Sequence, residues 1–105
     1  LRYTHYSMTK ELQKDLHIIS AHRGRLRKKY HVAQIGIFGS VAKGISRAGS
    51  DVDIVVELSK PIGMFKFLEL EEYLSAELGK KVDLVTKRSL KPLIKAEILS
   101  TAVYV

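Results

Sequence analysis

Residues 52–58 read Val-Asp-Ile-Val-Val-Glu-Leu, a strand pattern with apolar side chains on both faces. Because side chains alternate across a strand, such a segment needs cover on both sides and is expected in the middle of a sheet. The chain has 105 residues, of which 46% are hydrophobic, so it can bury one modest core. The segment therefore predicts a single small α/β domain with residues 52–58 as a central strand.

Helical and strand patterns alternate on either side of this segment. Thr9 is a candidate N-cap for a long basic helix over residues 10–30, in which Gly24 is the expected position of any kink or break. The later predicted elements are a strand at 32–38, one or two helical turns ending at Gly44, the strand at 52–58, a helix ending at Gly79, a strand at 81–86 and a helix beginning at Pro92. Residues 101–105 are expected to form a short tail.

Two of the predicted helices carry apolar stripes that should pack inward. The residues expected to do so are Phe65, Leu68, Leu70, Tyr73, Leu74 and Leu78 in one helix, and Leu93, Ile94, Ile98 and Leu99 in the other. A helical pattern begins only after Met8. We therefore interpret residues 1–8 as an N-terminal extension or an expression-vector remnant, and residues 9–105 as the domain.

The composition excludes several classes of protein. The chain has no cysteine, so it has neither a disulfide framework nor a thiolate metal site, and this agrees with a reducing cytoplasm, where we expect the protein. No apolar run approaches the roughly 20 residues that a membrane helix needs, so no membrane association is expected.

Much of the net charge of +7 lies in one basic segment, residues 22–31, which carries five positive charges. The interpretation we favour is a solvated helix face near a helix end. The alternative is a surface that attracts RNA, anionic nucleotides or an acidic protein partner.

Three aspartates are the candidate catalytic and metal-binding residues. Asp51 and Asp53 point to the same side of the chain, about 7 Å apart along it, and their mutual repulsion would be relieved by a hard cation such as magnesium. Asp83 lies in the next predicted strand between apolar residues and should face the other two. Together they could hold two magnesium ions, with Asp83 nearest the attacking group.

Each aspartate also has an ordinary structural interpretation. Asp51 and Asp53 could belong to a surface hairpin, because Asp-x-Asp occurs by chance in many of them. Asp83 could lie on an edge strand and pair with Lys80, Lys81 or Lys87.

The turn after the first predicted strand offers a phosphate site. Ser40 could cap the short helix, whose N-terminal amides favour an anion, and Gly39 lacks the side chain that would block close approach. Lys43 could add a positive charge one turn later. A Gly-Ser pair at a strand end is most often only a turn, so this signal depends on its spacing from the aspartates.

That joint spacing resembles the minimal nucleotidyltransferase (MNT) family of the polymerase-beta-like superfamily. The family's mark is Gly-Ser, ten residues, then Asp-x-Asp in a strand, which here corresponds to Gly39-Ser40 and Asp51-Val52-Asp53. The likeness continues at Phe38, at residues 42–44, at Ser50 and at Val82-Asp83-Leu84. The resemblance implies a mixed sheet of three to four strands flanked by about four helices. It also implies that Gly39, Ser40, Lys43 and Ser50 bind the nucleotide.

The resemblance further implies an activity and a partner. Members of this family transfer a nucleoside monophosphate from a nucleoside triphosphate to a hydroxyl, and many stand-alone members are antitoxins encoded beside a HEPN-domain ribonuclease. We therefore expect magnesium-dependent transfer of AMP from ATP to a hydroxyl of a HEPN toxin, such as that of a tyrosine. A chain this short has no second substrate domain, so the acceptor should come from a partner's surface.

Two other functions stay open on the sequence. The same fold could act as a non-catalytic antitoxin that neutralises its partner by forming a complex, as a homo- or hetero-oligomer. Alternatively, the basic segment could bind nucleic acid through Arg23, Arg25, Arg27, Lys28 and Lys29. We regard nucleic-acid binding as the weaker hypothesis, because it leaves the three aspartates unexplained.

Overall fold

Four strands form one mixed sheet in the computed structural model, which describes residues 8–47 and 49–105. The strands are β1 (Val32–Phe38), β2 (Val52–Leu58), β3 (Val82–Thr86) and β4 (Val103–Tyr104), in the spatial order β3-β2-β1-β4. β1 pairs antiparallel with both β2 and β4, whereas β3 runs parallel to β2. β2 is therefore an interior strand, and the predicted mixed sheet of three to four strands is confirmed.

The described residues, 8–47 and 49–105, also form five α-helices that pack with the sheet. They are α1 (Lys10–Ala21), α2 (Arg23–Tyr30), α3 (Gly39–Lys43), α4 (Gly63–Leu78) and α5 (Pro92–Thr101), and a 3₁₀ turn at Lys87–Ser89 precedes α5. As predicted, Thr9 caps α1, accepting a hydrogen bond from the Leu12 amide at 3.1 Å. None of the helices within 8–47 and 49–105 is long and apolar enough to cross a membrane.

The predicted long helix over residues 10–30 is in fact two helices, and the break lies at His22 rather than Gly24. The His22 backbone leaves helical geometry, with φ −103° and ψ 9°. Its ring is held from α4, because Nδ1 lies 2.7 Å from the Tyr73 hydroxyl and Nε2 lies 2.8 Å from Glu77. These contacts connect the break to α4, whereas Gly24 remains inside α2.

One face of the sheet carries the hydrophobic core. Val52, Ile54 and Val56 of β2 are fully buried on this face, together with side chains from α1, α2 and α4. The opposite face of β2 carries Asp53, the buried Val55 and Glu57, because side chains alternate along a strand. The apolar residues of β2 thus anchor the strand that bears Asp53.

The predicted inward stripes were wrong at four positions. In α4, Leu70, Leu74 and Leu78 are buried at a spacing of four residues, whereas Phe65 is 91% exposed and Leu68 is 46% exposed. At 100° per residue, Phe65 and Leu68 lie about 140° and 200° away from Leu70 around the helix, which turns them from the core.

In α5 the predicted inward residues Leu93 and Ile94 are also exposed, by 88% and 50%. No residue of α5 is fully buried, and the helix packs through half-buried residues such as Ile98 and Leu99. α5 therefore lies nearer the surface than its apolar content indicates.

The predicted C-terminal tail contains β4, a strand of two residues. Val103 and Tyr104 pair with Ile37 and Gly36 of β1. A side chain at Gly36 would meet the Tyr104 ring, since a Cβ built there would lie 2.9 Å from Tyr104 Cδ1. Of the predicted N-terminal extension, residues 1–7 lie outside the described residues.

A partly buried ionic cluster joins α1 to the turn before β3. Lys80 Nζ donates hydrogen bonds to Glu11 Oε2 at 2.6 Å and to Asp15 Oδ2 at 2.9 Å, and the Ser46 hydroxyl also donates to Glu11. Burial acts to lower the pKa of Lys80, but the hydrogen bonds to Glu11 and Asp15 outweigh it and raise that pKa. Asp15 is 1% exposed, so Lys80 supplies the charge that its buried carboxylate needs.

Removing this charge should destabilise the fold. We expect Lys80→Met to lower the free energy of unfolding by about 3 kcal/mol, because it leaves the Asp15 carboxylate buried without its cation. The matched control is Lys14→Met on the exposed side of α1, which should change stability by less than about 0.5 kcal/mol. Urea unfolding measures both variants, and the double variant Lys80→Met/Asp15→Leu should recover much of the loss. Equal stabilities for Lys80→Met and Lys14→Met would contradict the role given to the cluster.

Candidate active site

Two of the three candidate carboxylates lie side by side on neighbouring strands. Asp53 of β2 and Asp83 of β3 are Cα partners in the parallel ladder. Paired strands are about 4.8 Å apart, and residues in register on parallel strands point to the same face. Asp51 lies directly before β2, two residues from Asp53, with a half-exposed side chain. All three residues therefore lie where β2 and β3 begin, with Asp53 and Asp83 in register.

Asp53 is a carboxylate whose pKa is raised by its surroundings. Burial, followed by the negative charges of Asp83 and Asp51, raises the pKa of the Asp53 carboxyl. Within the ranges that the structure describes, neither Asp53 nor Asp83 has an ion-pair partner. The like charges are thus left uncompensated by the side chains around them.

The alternative pairing of Asp83 with a lysine is not what the structure contains. Lys80 is bound to Glu11 and Asp15, and Lys81 Nζ lies 3.8 Å from Asp51 Oδ2. Lys81 is a site residue that the sequence reasoning missed. The available signal was its position one residue before β3, since parallel pairing brings it beside the residue that precedes β2.

The donors match magnesium in type and charge. Mg²⁺ prefers carboxylate oxygens, and a divalent cation would relieve the repulsion that raises the pKa of Asp53. Among residues 8–47 and 49–105, however, no three acidic or histidine side chains stand close enough to form a complete ligand group. Asp53 and Asp83 are therefore in register, but the described side chains do not form a complete metal site.

Gly39 places the backbone of the turn directly against Asp53. It follows β1, whose last residue Phe38 pairs with Asp53, and it has φ +72°, a conformation that favours glycine. A Cβ built at Gly39 would collide with the Asp53 carboxylate, with its Cγ 3.0 Å away. Glycine is therefore required both for the turn and for the approach of the carboxylate.

The other predicted nucleotide-binding residues lie around this turn. Ser40 does not cap α3 as predicted, because the helix begins one residue earlier at Gly39 and its N-cap is Phe38, without a side-chain bond. Lys43 is exposed in the last turn of α3. The Ser50 hydroxyl accepts a hydrogen bond from the Arg47 amide at 2.9 Å, which closes the loop before Asp51. A nucleotide-binding role for Ser40, Lys43 and Ser50 stays a prediction.

Two cations of the basic segment contact residues of α4. Lys29 Nζ lies 3.0 Å from Glu69, and the Arg25 guanidinium lies 5.7 Å from the Tyr73 ring centre. Its last three cations occupy the last turn of α2, where positive charge is favoured by the helix dipole. These contacts agree with the helix-end interpretation, and nucleic-acid binding by this segment stays a hypothesis.

Residues 19–105 match the family described as nucleotidyltransferase domain. The chain belongs to this nucleotidyltransferase family. It is also 48% identical over 88 residues to the protein adenylyltransferase MntA of Thermococcus cleftensis, a match that covers 84% of this chain and 89% of the relative. The MNT resemblance and the predicted nucleotidyltransferase activity are confirmed.

Two solved structures share the fold of this nucleotidyltransferase. A crystal structure of a toxin-antitoxin with AMP-PNP has a TM-score of 0.69 and 25% identity, over 91% of this chain and 72% of that one. A structure of a tri-AMPylated Shewanella oneidensis HEPN toxin in complex with an MNT antitoxin has a TM-score of 0.63 and 22% identity, over 90% of this chain and 70% of that one. At 22% identity, the second likeness concerns the fold alone.

A methyl group at Gly39 should disable this nucleotidyltransferase. We expect Gly39→Ala to lower the transfer rate by at least about 100-fold, because the added Cβ displaces the Asp53 carboxylate. The matched control is Gly63→Ala, which has a similar φ of +77° with nothing within 4 Å of its Cβ, so it tests backbone strain without a collision. It should cost about 1 kcal/mol of stability and leave the rate unchanged. Equal rates for both variants would show that the contact with Asp53 is unimportant.

Proposed function

We propose that this protein is a magnesium-dependent protein adenylyltransferase that transfers AMP from ATP to a tyrosine hydroxyl of a partner HEPN toxin, and thereby acts as an antitoxin. The observation that carries the proposal is the contact between the Gly39 backbone and the Asp53 carboxylate, with Asp83 in register beside it. Through this contact the Gly39-Ser40 turn lies directly beside the Asp51-Val52-Asp53 segment. The 48% identity to a protein adenylyltransferase supports AMP as the transferred group.

The proposed roles follow from the position of each residue. The amides at Gly39 and Ser40 and the Lys43 ammonium would bind the phosphates, since they lie at the start and end of the same short helix. Asp51 and Asp53 would hold magnesium, which when bound would supply the positive charge that a triphosphate requires. Asp83 would lie nearest the acceptor hydroxyl and orient it.

The reaction itself is a single displacement at phosphorus. The acceptor oxygen forms a bond to the α-phosphorus of ATP while the bond to pyrophosphate breaks. The hydroxyl proton passes to Asp83 or to water. Asp83 is suited to this task because it is exposed at the start of an edge strand, where a hydroxyl from outside the chain can approach.

The same exposure supports an acceptor on another protein. β3 is an edge strand, and the side chain that we assign to the acceptor lies on it rather than in an enclosed cavity. The likeness to a toxin-antitoxin structure with AMP-PNP supports both a protein partner and an adenine nucleotide. We identify the partner as a HEPN toxin from the resemblance of the motif to the MNT family.

Transfer is tested with labelled ATP, magnesium and the protein encoded by the neighbouring gene, which the proposal requires to be a HEPN toxin. We expect label on a tyrosine of the partner, and we expect Asp53→Asn and Asp83→Asn each to reduce the rate by about 10²–10⁴-fold. Glu72→Gln, which removes an exposed carboxylate from α4, is the control and should keep the full rate. No transfer by the unaltered protein, or undiminished transfer by Asp53→Asn, would refute the proposed chemistry.

Protection of cells separates catalysis from simple complex formation. We expect the double variant Asp51→Ala/Asp53→Ala to bind the toxin in a pull-down yet fail to protect cells that express it, because it cannot transfer AMP. Colony counts at matched antitoxin levels measure the effect. Full protection by this variant would favour the non-catalytic antitoxin that neutralises its partner by binding.

A further inference from the structure

A cleft of about 450 Å³ lies at the end of β2 opposite Asp53. Its walls come from the end of β2 and the following turn, the 3₁₀ turn after β3, and α5. The polar and turn residues that define it are Glu57, Lys60, Pro61, Lys87, Arg88 and Lys95. None of these residues belongs to the candidate active site.

Part of the cleft lining lies on the same side of the sheet as the carboxylates. Glu57 and Asp53 share one face of β2, because they are four residues apart on an alternating strand. Lys95 of α5 lines the cleft together with Glu57, so α5 approaches the sheet from this face. At about 3.3 Å per residue, Asp53 and Glu57 are about 13 Å apart along the strand. A segment that reaches both positions therefore needs at least four residues, because Val55 between them is buried and the segment must pass over its cover.

The cleft has an excess of unpaired positive charge. Four cations, Lys60, Lys87, Arg88 and Lys95, face a single carboxylate, that of Glu57. Across 8–47 and 49–105, none of the four takes part in an ion pair. Like charges gathered without counter-ions favour an anionic ligand.

Its apolar walls favour a polypeptide over a nucleic acid. Leu58 and Pro61 add apolar lining, and none of the lining residues is aromatic, so the cleft offers no stacking platform for bases. Just beyond Pro61, Met64 and Phe65 are 70% and 91% exposed, which offers apolar contact to a protein surface. An acidic segment with neighbouring apolar side chains matches both properties.

We propose that this cleft docks an acidic segment of the acceptor protein, at least four residues from the hydroxyl that reaches Asp83. The inference rests on the proposed function for the identity of the acceptor, but docking itself needs neither ATP nor catalysis. The segment would place its carboxylates between the four cations, and the chain between the cleft and the active site would pass over the residues that cover Val55, which is buried between Asp53 and Glu57.

The docking is tested by fluorescence anisotropy without nucleotide. The probes are a short labelled peptide with three glutamates placed four residues from a single tyrosine, and the same peptide with glutamines. We expect the unaltered protein to bind the glutamate peptide about tenfold more tightly than the glutamine peptide at low salt, and less so at about 200 mM salt. Lys87→Ala/Arg88→Ala should reduce this preference to less than about twofold.

Matched variants locate the effect. Arg27→Ala/Lys28→Ala removes two exposed charges from α2 instead and should keep the tenfold preference. Circular dichroism melting verifies folding, and Lys60→Ala, at an exposed position, replaces the double variant if that one unfolds.

Three results would overturn the proposal. They are equal affinity for the two peptides, loss of the preference in the α2 variant alone, and tighter binding of a single-stranded RNA of equal charge through Lys87 and Arg88. The last result would assign the cleft to nucleic acid. Because the measurement involves no transfer, its failure is distinguishable from failure of the adenylyltransferase assay.

Discussion

The parallel pairing of β2 with β3 places Asp53 beside Asp83, and the rest of the fold holds these two like charges together. The pairing is unfavourable at the carboxylates themselves, as the raised pKa of Asp53 indicates. It is maintained by the other face of the same strands, where Val52, Ile54 and Leu84 are buried in the core. Because side chains alternate, hydrophobic burial on one face stabilises a repulsive arrangement on the other. A bound cation would relieve the repulsion between these two carboxylates.

The segments that precede β2 and β3 are both bound to α1. Ser46 lies in the loop before Asp51, and Lys80 lies two residues before β3, yet both bind Glu11. The hydrogen bonds from Lys80 and Ser46 lower the pKa of Glu11, so this carboxylate remains charged under mildly acidic conditions. Its stabilising contribution is fully present above its ordinary pKa and is lost as the pH falls through the lowered value. One acidic residue of α1 thus positions two segments that meet at the site.

Local patterns were sufficient to predict the strands, whereas tertiary contacts decided the features that were missed. Asp53 and Asp83 could be predicted to face each other because both interrupt apolar strand patterns, which fixes the face on which they lie. The helix break at His22 could not be predicted, since it accompanies contacts with Tyr73 and Glu77, about 50 residues later in the chain. β4 has two residues, which is too short for a recognisable alternation, and its pairing with Gly36 is visible only in the sheet.

The positive charges at the surface also show the difference between local sequence patterns and tertiary contacts. In the sequence the basic segment stands out because its cations are adjacent, yet Lys29 and Arg25 are engaged with Glu69 and Tyr73 of α4. The cations of the cleft are separated by up to 35 positions, Lys60 to Lys95, and chain folding brings them into one concave surface. A surface recognises a partner through charges that remain unpaired and share one concavity, and adjacency in the sequence provides neither property. The cleft satisfies both conditions, and this separates it from the basic segment as the surface proposed to dock the acceptor.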